Sequence, residues 1–293
     1  MKLKLYIGAH KTATTHVQRL LAANRQELSD NKIHLSIPSD IRPLWFPFLR
    51  EYASSDDSAA IKKILSNSPT SGTWIFAEEN VSGVPYDLKV KPGIYPSLSA
   101  NLAVFKELFP DAELDVFFSI RSYDSFYASS YLEVVRNRGF FPFEEYYDEC
   151  RYAENSWYHV IRTIIETVGS QDRLTLWCYE EFSSLLPSIL SKLTGLDDAH
   201  ALKMASDYEV DRTRQSISQK TLNIIEALSP METLARSRQV LESLNDKFPA
   251  SAGNGYFKPF SQSQVKGFRV QYDEDILRIL KNFPNANFLN KNS

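Results

Sequence analysis

The sequence predicts an α/β protein built on a three-layer, doubly wound parallel β-sheet, with a helical C-terminal region. Three observations lead there. Short apolar runs at residues 3–7, 32–35, 73–77, 114–120 and 173–178 read as strands. Stretches with helical periodicity separate them, and that alternation is the mark of parallel strands covered on both faces. Past about residue 196 the strand signals fade while helical ones continue. The chain is therefore expected to form one domain over 1–293, an α/β core at 1–196 with a helical region at 197–293 packed on it.

The elements follow in order. Residues 3–7 form the first strand. Residues 14–28 place Val17, Leu20, Leu21, Asn24 and Leu28 near one face, a 3.6-residue period with one polar member. A weak second strand at 32–35 leads into 36–57, where three prolines stand among Trp45, Phe46 and Phe48; this reads as a loop, a candidate lid over a second ligand. Residues 73–77 (TWIFA) are the third strand and 114–120 (LDVFFSI) the clearest one. An aromatic-rich helix at 124–138 and another at 154–168 precede the strand at 173–178. The helix at 180–193 should stop at Thr194-Gly195, where glycine supplies a C-cap. Helices at 216–228, 231–244 and 261–280 follow, with Ser216 and Ser261 as N-caps and a Pro- and Gly-bearing loop at 248–259.

Composition narrows the function classes. Hydrophobic residues at 43% supply a sizeable core and exclude a disordered chain. A formal net charge of -3 gives no global field to attract nucleic acid, so no such partner is expected, although a local basic pocket is compatible with it. Cys150 and Cys178 form no CxxC pair, and the histidines show no HExxH spacing, so neither a zinc site nor a disulfide framework is suggested. The first apolar run is too short for a signal peptide or anchor, and no eighteen consecutive residues are apolar. A cytoplasmic location without stable membrane insertion is the expectation.

The most informative segment is GAHKTATT, Gly8 to Thr15, between the first strand and the first helix. A strand–loop–helix directs successive backbone N–H groups and a helix N-terminus at one point, which favours an anion with several oxygens. Lys11 adds a mobile positive charge, and Thr12, Thr14 and Thr15 add hydroxyls, one of which can cap the helix. It is not a Walker A loop: the lysine follows Gly8 by three residues and the second glycine is missing. The bland alternative is an ordinary turn with a threonine cap and a solvated lysine.

On these residues the chain resembles the sulfotransferases that use 3′-phosphoadenosine 5′-phosphosulfate. The stretch LYIGAHKTATTHVQRLLAANRQEL is similar to their 5′-phosphosulfate loop and following helix, in particular to the bacterial pattern GxHKTGTTxxQ. It departs at Ala13, where glycine is usual; if that position needs positive φ, alanine costs about 1 kcal/mol. The resemblance implies a P-loop-like fold. It implies that Gly8, Ala9, Lys11, Thr12, Ala13, Thr14 and Thr15 hold the phosphosulfate of this co-substrate, and that the bisphosphate is the product. The acceptor would be a hydroxyl compound: a carbohydrate, glycolipid or small alcohol. No metal is expected.

Arg121 directly follows the strand at 114–120, the position where ligands bind in open α/β sheets. With Ser129 eight residues on, it resembles the family's 3′-phosphate motif; the plain alternative is that Arg121 pairs with an acid such as Asp124. Sulfuryl transfer to an alcohol also needs a proton acceptor. Glu78 and Glu79 end the third strand, and adjacent strand residues face opposite ways, so one should face the site. The resemblance selects Glu79 as base, with Glu78 in reserve and His10 as competitor. Arg212 and Arg214 lie in a segment loosely similar to a late phosphate-contacting motif, and Arg212 is taken as a further nucleotide contact. The competing functions are a P-loop nucleotide or small-molecule kinase and a non-catalytic nucleotide-binding relative.

Overall fold

The computed structural model describes residues 1–51, 58–148, 156–206 and 216–290. Arg212, Arg214, Cys150 and the predicted helix start at Glu154 fall outside them. Six parallel strands form one sheet in the order β2-β3-β1-β4-β5-β6. They are β1 Lys2–Tyr6, β2 Ile33–Ser36, β3 Thr73–Ala77, β4 Glu113–Ile120, β5 Leu174–Cys178 and β6 Asn287–Leu289. The sixth strand has no counterpart in the sequence reading: at three residues it is too short for a periodic signal, and pairing with β5 defines it.

Alternate residues of each strand enter two separate cores. Leu3, Leu5 and Ile7, then Val116, Phe118 and Ile120, point to one face. Tyr6, Ile75, Ala77, Phe117 and Trp177 point to the other. Helices α1 (Thr14–Ala23), α2 (Arg25–Asp30), α10 (Phe182–Thr194) and α11 (Asp198–Ser206) cover this second face. The first face is covered by α3 (Pro38–Glu51), α4 (Ser58–Ser66), α6 (Leu98–Leu108), α7 (Tyr123–Arg138) and α9 (Trp157–Val168), with short α5 (Asp87–Val90) and α8 (Phe143–Tyr146) beside them. Burial on both faces is why the strands read as apolar runs.

The C-terminal helices α12 (Gln219–Ala227), α13 (Glu232–Ala235), α14 (Arg238–Lys247) and α15 (Gln262–Asn282) add Leu222, Ile225, Ala235, Leu241, Tyr272 and Ile279 to the first core. Tyr123 Oη of α7 donates to Asp275 Oδ2 of α15 at 2.5 Å, which ties this region to the sheet layer.

Several boundaries differ from the sequence reading. The expected helix at 14–28 breaks at Asn24, whose side-chain amide bonds Leu20 O at 2.8 Å. The helix expected at 231–244 is two, α13 and α14. Ser218, not Ser216, caps α12, while Ser261 caps α15 in a full capping box. Gly195 ends α10 in the left-handed conformation, φ 77°. The largest difference is at 36–57: the backbone is helical through 38–51 despite Pro43, and 52–57 lie outside the described residues. Pro38 occupies the first helical position, which suits proline. Ile41 and Trp45 are buried, with Trp45 stacked on Phe105 and the ring centres 4.9 Å apart, so packing overrides the proline signal.

Candidate active site

The sheet order places the site. The chain leaves β1 toward β2 on one side and leaves β4 toward β5 on the other, so the loops after β1 and β4 diverge above neighbouring strands. A crevice at such a switch point is where open α/β sheets bind ligands. The first loop leaves in register with β4: Gly8 N donates to Phe117 O and Ala9 N to Ser119 O. Gly8 and Ala9 are buried and do not line the cavity.

Beyond Ala9 the backbone alternates in sign. Lys11 has φ 65° and Ala13 φ 62°, both left-handed. This alternation curls successive N–H groups into a concave nest. Among the described residues, the main-chain N–H groups of Thr12, Ala13, Thr14 and Thr15 have no protein acceptor. Two of them open α1, so the helix start adds its partial positive charge. Ala13 sits in the left-handed conformation that favours glycine. The hydroxyl of Thr12 does not face the cavity: fully buried, it donates to Ala9 O at 2.5 Å and accepts from Ser119 Oγ at 2.6 Å, bracing the loop on β4. Thr14 and Thr15 line the cavity.

His10 is buried, with its Nε2 3.0 Å from Asn80 Oδ1 and its Nδ1 3.0 Å from Tyr95 Oη. Asn80 Oδ1 can only accept, so Nε2 carries the proton and Nδ1 accepts from the tyrosine. Burial pulls the His10 pKa down, against the pull of Glu79 and Asn80, and keeps the ring neutral.

Arg121 reaches from the end of β4 to the loop. Its Nη1 donates to Lys11 O at 2.6 Å and its Nε to Ser125 Oγ at 2.8 Å, and its guanidinium stands 4.6 Å from the centre of the Tyr179 ring. Among the described residues it makes no ion pair, with Asp124 or any other acid. Ser129 is partly buried one turn beyond Ser125 on α7 and does not line the cavity.

The two glutamates after β3 part as alternation requires. Glu78 is fully buried and held by the Arg42 fork, Nε to Oε2 at 2.8 Å and Nη2 to Oε1 at 3.0 Å. Burial pushes its carboxyl up and Arg42 pulls it back. Glu79 lines the cavity; Gln18 Nε2 donates to its Oε2 at 3.0 Å, and Arg42 Nη2 lies 3.5 Å from its Oε1. A smaller neighbouring cavity of about 230 Å³ shares Glu79, Arg42, Thr15 and Arg19 with the main one.

The structure adds residues the sequence reading did not single out. Glu133 on α7 accepts from Lys11 Nζ at 3.2 Å. Burial alone would raise its carboxyl, but the Lys11 charge and hydrogen bonds from Asn137 and Lys11, with Arg136 behind, outweigh it and bring it down to about 2. A signal was present: Ser125, Ser129, Glu133 and Asn137 recur every four residues as a polar row along α7, in the same spacing from Arg121 just before it. The whole cavity measures about 850 Å³. Six cationic side chains line it (Lys11, Arg19, Arg42, Arg121, Arg138 and Arg238) against two carboxylates, Glu79 and Glu133. A chain of net charge -3 has thus gathered positive charge at one place.

Comparison of the chain with models of protein families, with curated proteins and with solved structures finds no match. Among the described residues no helix is long and apolar enough to cross a membrane.

Proposed function

We propose that this protein is a sulfotransferase, moving a sulfuryl group from 3′-phosphoadenosine 5′-phosphosulfate to a hydroxyl acceptor, on a P-loop-like α/β fold. The observation that carries the reading is the nest at Lys11–Thr15 with Arg121 bonded to its backbone. Two anion-binding elements side by side at the sheet's switch point suit a donor with negative charge at two places. Lys11, Arg19 and Arg121 along the cavity support the same reading.

In this mechanism the nest amides, Lys11 and the start of α1 hold the phosphosulfate and stabilise charge as it grows on the leaving phosphate oxygen. The acceptor oxygen forms the new bond to sulfur as the bridging sulfur–oxygen bond breaks. Its proton passes to Glu79. We assign the base to Glu79 over His10 because both nitrogens of His10 are engaged, and over Glu78 because that carboxylate is buried in the Arg42 fork. The product bisphosphate remains in the donor site until release.

The test is a thermal shift with the bisphosphate and, separately, with ATP and magnesium. At 100 times its dissociation constant a ligand adds about 2.7 kcal/mol of stability. Stabilisation by the bisphosphate supports the reading. Stabilisation by ATP with magnesium alone replaces it with a kinase; binding of the bisphosphate without transfer to any acceptor marks a non-catalytic relative.

A further inference from the structure

The part of the cavity lined by the end of α7 and the start of α14 has its own charge pattern. Its wall includes Tyr86, Asn137, Arg138, Arg238, Ser251 and Tyr256. The two arginines are a hundred positions apart in the chain and come from different elements: Arg138 ends α7, and Arg238 begins α14. Gly139 lets those elements meet. A Cβ on Gly139 would stand 2.7 Å from Arg236 Cγ and 2.8 Å from Arg236 Cα, so only glycine admits that backbone. Phe140 N then donates to Ala235 O at 3.3 Å, which fixes the junction.

Local structure accounts for Arg138 better than for Arg238. A cation at the end of α7 suits the helix dipole, but one at the start of α14 opposes it. Arg238 pairs with Glu242 at 3.8 Å, a carboxylate it shares with the closer Arg136 at 3.0 Å. Arg138 has no ion pair among the described residues; its guanidinium stands 5.1 Å from the centre of the Tyr86 ring. Two guanidinium groups lining one cavity from elements that meet at Gly139 raise the local positive potential, which a bound anion would offset. The tyrosines offer flat faces and hydroxyls suited to a sugar ring.

We propose that this part of the cavity binds an anionic sugar as the acceptor: a ring bearing hydroxyls together with a carboxylate or phosphate, its charge held by Arg138 and Arg238. The proposal rests on the sulfotransferase reading for the ligand's role as acceptor, but not for the preference for negative charge. It turns an open list of hydroxyl compounds into a stated class.

The experiment is calorimetry on the full chain with the bisphosphate saturating. Methyl β-glucuronide and glucose 6-phosphate are titrated against neutral methyl β-glucoside, into the native protein and into R138Q and R238Q. The expected result is binding of at least one anionic sugar about tenfold or more tighter than the neutral one. Each substitution should weaken that sugar about tenfold, the size of one lost charge-assisted hydrogen bond, while bisphosphate affinity stays within about twofold. The tighter of the two anionic sugars names the charged group. Equal affinity for neutral and anionic sugars, no binding of either anionic sugar, or a preference that survives in both variants overturns the proposal. If the bisphosphate fails to bind while an anionic sugar still does, the sulfotransferase reading falls and the charge preference stands.

Discussion

Lys11 Nζ and Glu133 Oε2 stand 3.2 Å apart, so the one lysine of the anion loop is held by a carboxylate on the facing helix. The pair sets the lysine's position and puts a negative charge beside a site otherwise built for anions. Any anion arriving at the loop, the proposed phosphosulfate included, must therefore compete with Glu133 for Lys11.

Glu133→Gln should bind the bisphosphate more tightly, by about fivefold to tenfold, since removing a unit charge a few ångströms away is worth roughly 1 kcal/mol at partial exposure. Calorimetry reads this directly; unchanged or weaker binding would mean that Glu133 helps to form the site.

The same residue carries a pH signature. Its carboxyl lies at about 2 in the folded chain, against an ordinary value of 4.5. The unfolded chain therefore takes up the proton first. Stability from this group is fully present above pH 4.5 and is lost as pH falls toward 2, on the order of 3 kcal/mol across that window. Urea unfolding of native protein and Glu133→Gln between those limits should show the gap between them closing with acid. A gap independent of pH would refute the ion pair as the source.

Ala13 is the clearest test of the loop. Its φ of 62° is a conformation that costs an L-residue about 1 kcal/mol and glycine almost nothing. Ala13→Gly should raise the melting temperature by about 2 °C for a chain of this size. A lower melting temperature would show that the flexibility glycine adds to the unfolded chain outweighs the relieved strain.

How far these features could be read in advance depended on whether the signal was local. Residues 114–120 and 3–7 announced themselves as strands because both faces of the sheet are covered, and the loop was visible because Gly8, Lys11 and its threonines are contiguous. The positive φ at Ala13 followed from a single departure from a glycine pattern. Arg42 carries no signal of its own, because Pro43 and Pro47 give its segment the pattern of a loop, whereas burial of Ile41 and Trp45 makes it a helix. Glu133 was lost among aromatics, though its four-residue spacing from Ser129 was present. Arg238 reaches the cavity only through the tertiary contact at Gly139, which no local pattern encodes.

Arg42 gives a fourth prediction. It binds Glu78, whose side chain is wholly buried, while Arg42 itself is nearly half exposed. Arg42→Met leaves a buried carboxylate without its partner and should cost about 3 kcal/mol or more in urea unfolding. Adding Glu78→Gln to that variant removes the stranded charge and should restore at least half of the loss. A loss below about 1 kcal/mol in the single variant would show that Glu78 is protonated without its partner at little cost.

Glu79→Gln separates binding from chemistry at the proposed base. Glutamine keeps the shape of the side chain, and an amide oxygen facing Gln18 retains that hydrogen bond, now 3.0 Å long. Bisphosphate affinity should therefore stay within about twofold. Transfer to an acceptor should fall by about 10²- to 10⁴-fold, the usual worth of a general base. The two numbers must be taken on one preparation, by calorimetry and by release of bisphosphate from the labelled donor. If affinity and rate fall together, Glu79 shapes the donor site through Gln18 and Arg42. If neither changes, the proton goes elsewhere; His10, which also lines the cavity, could take it only by breaking its bond to Asn80 or Tyr95.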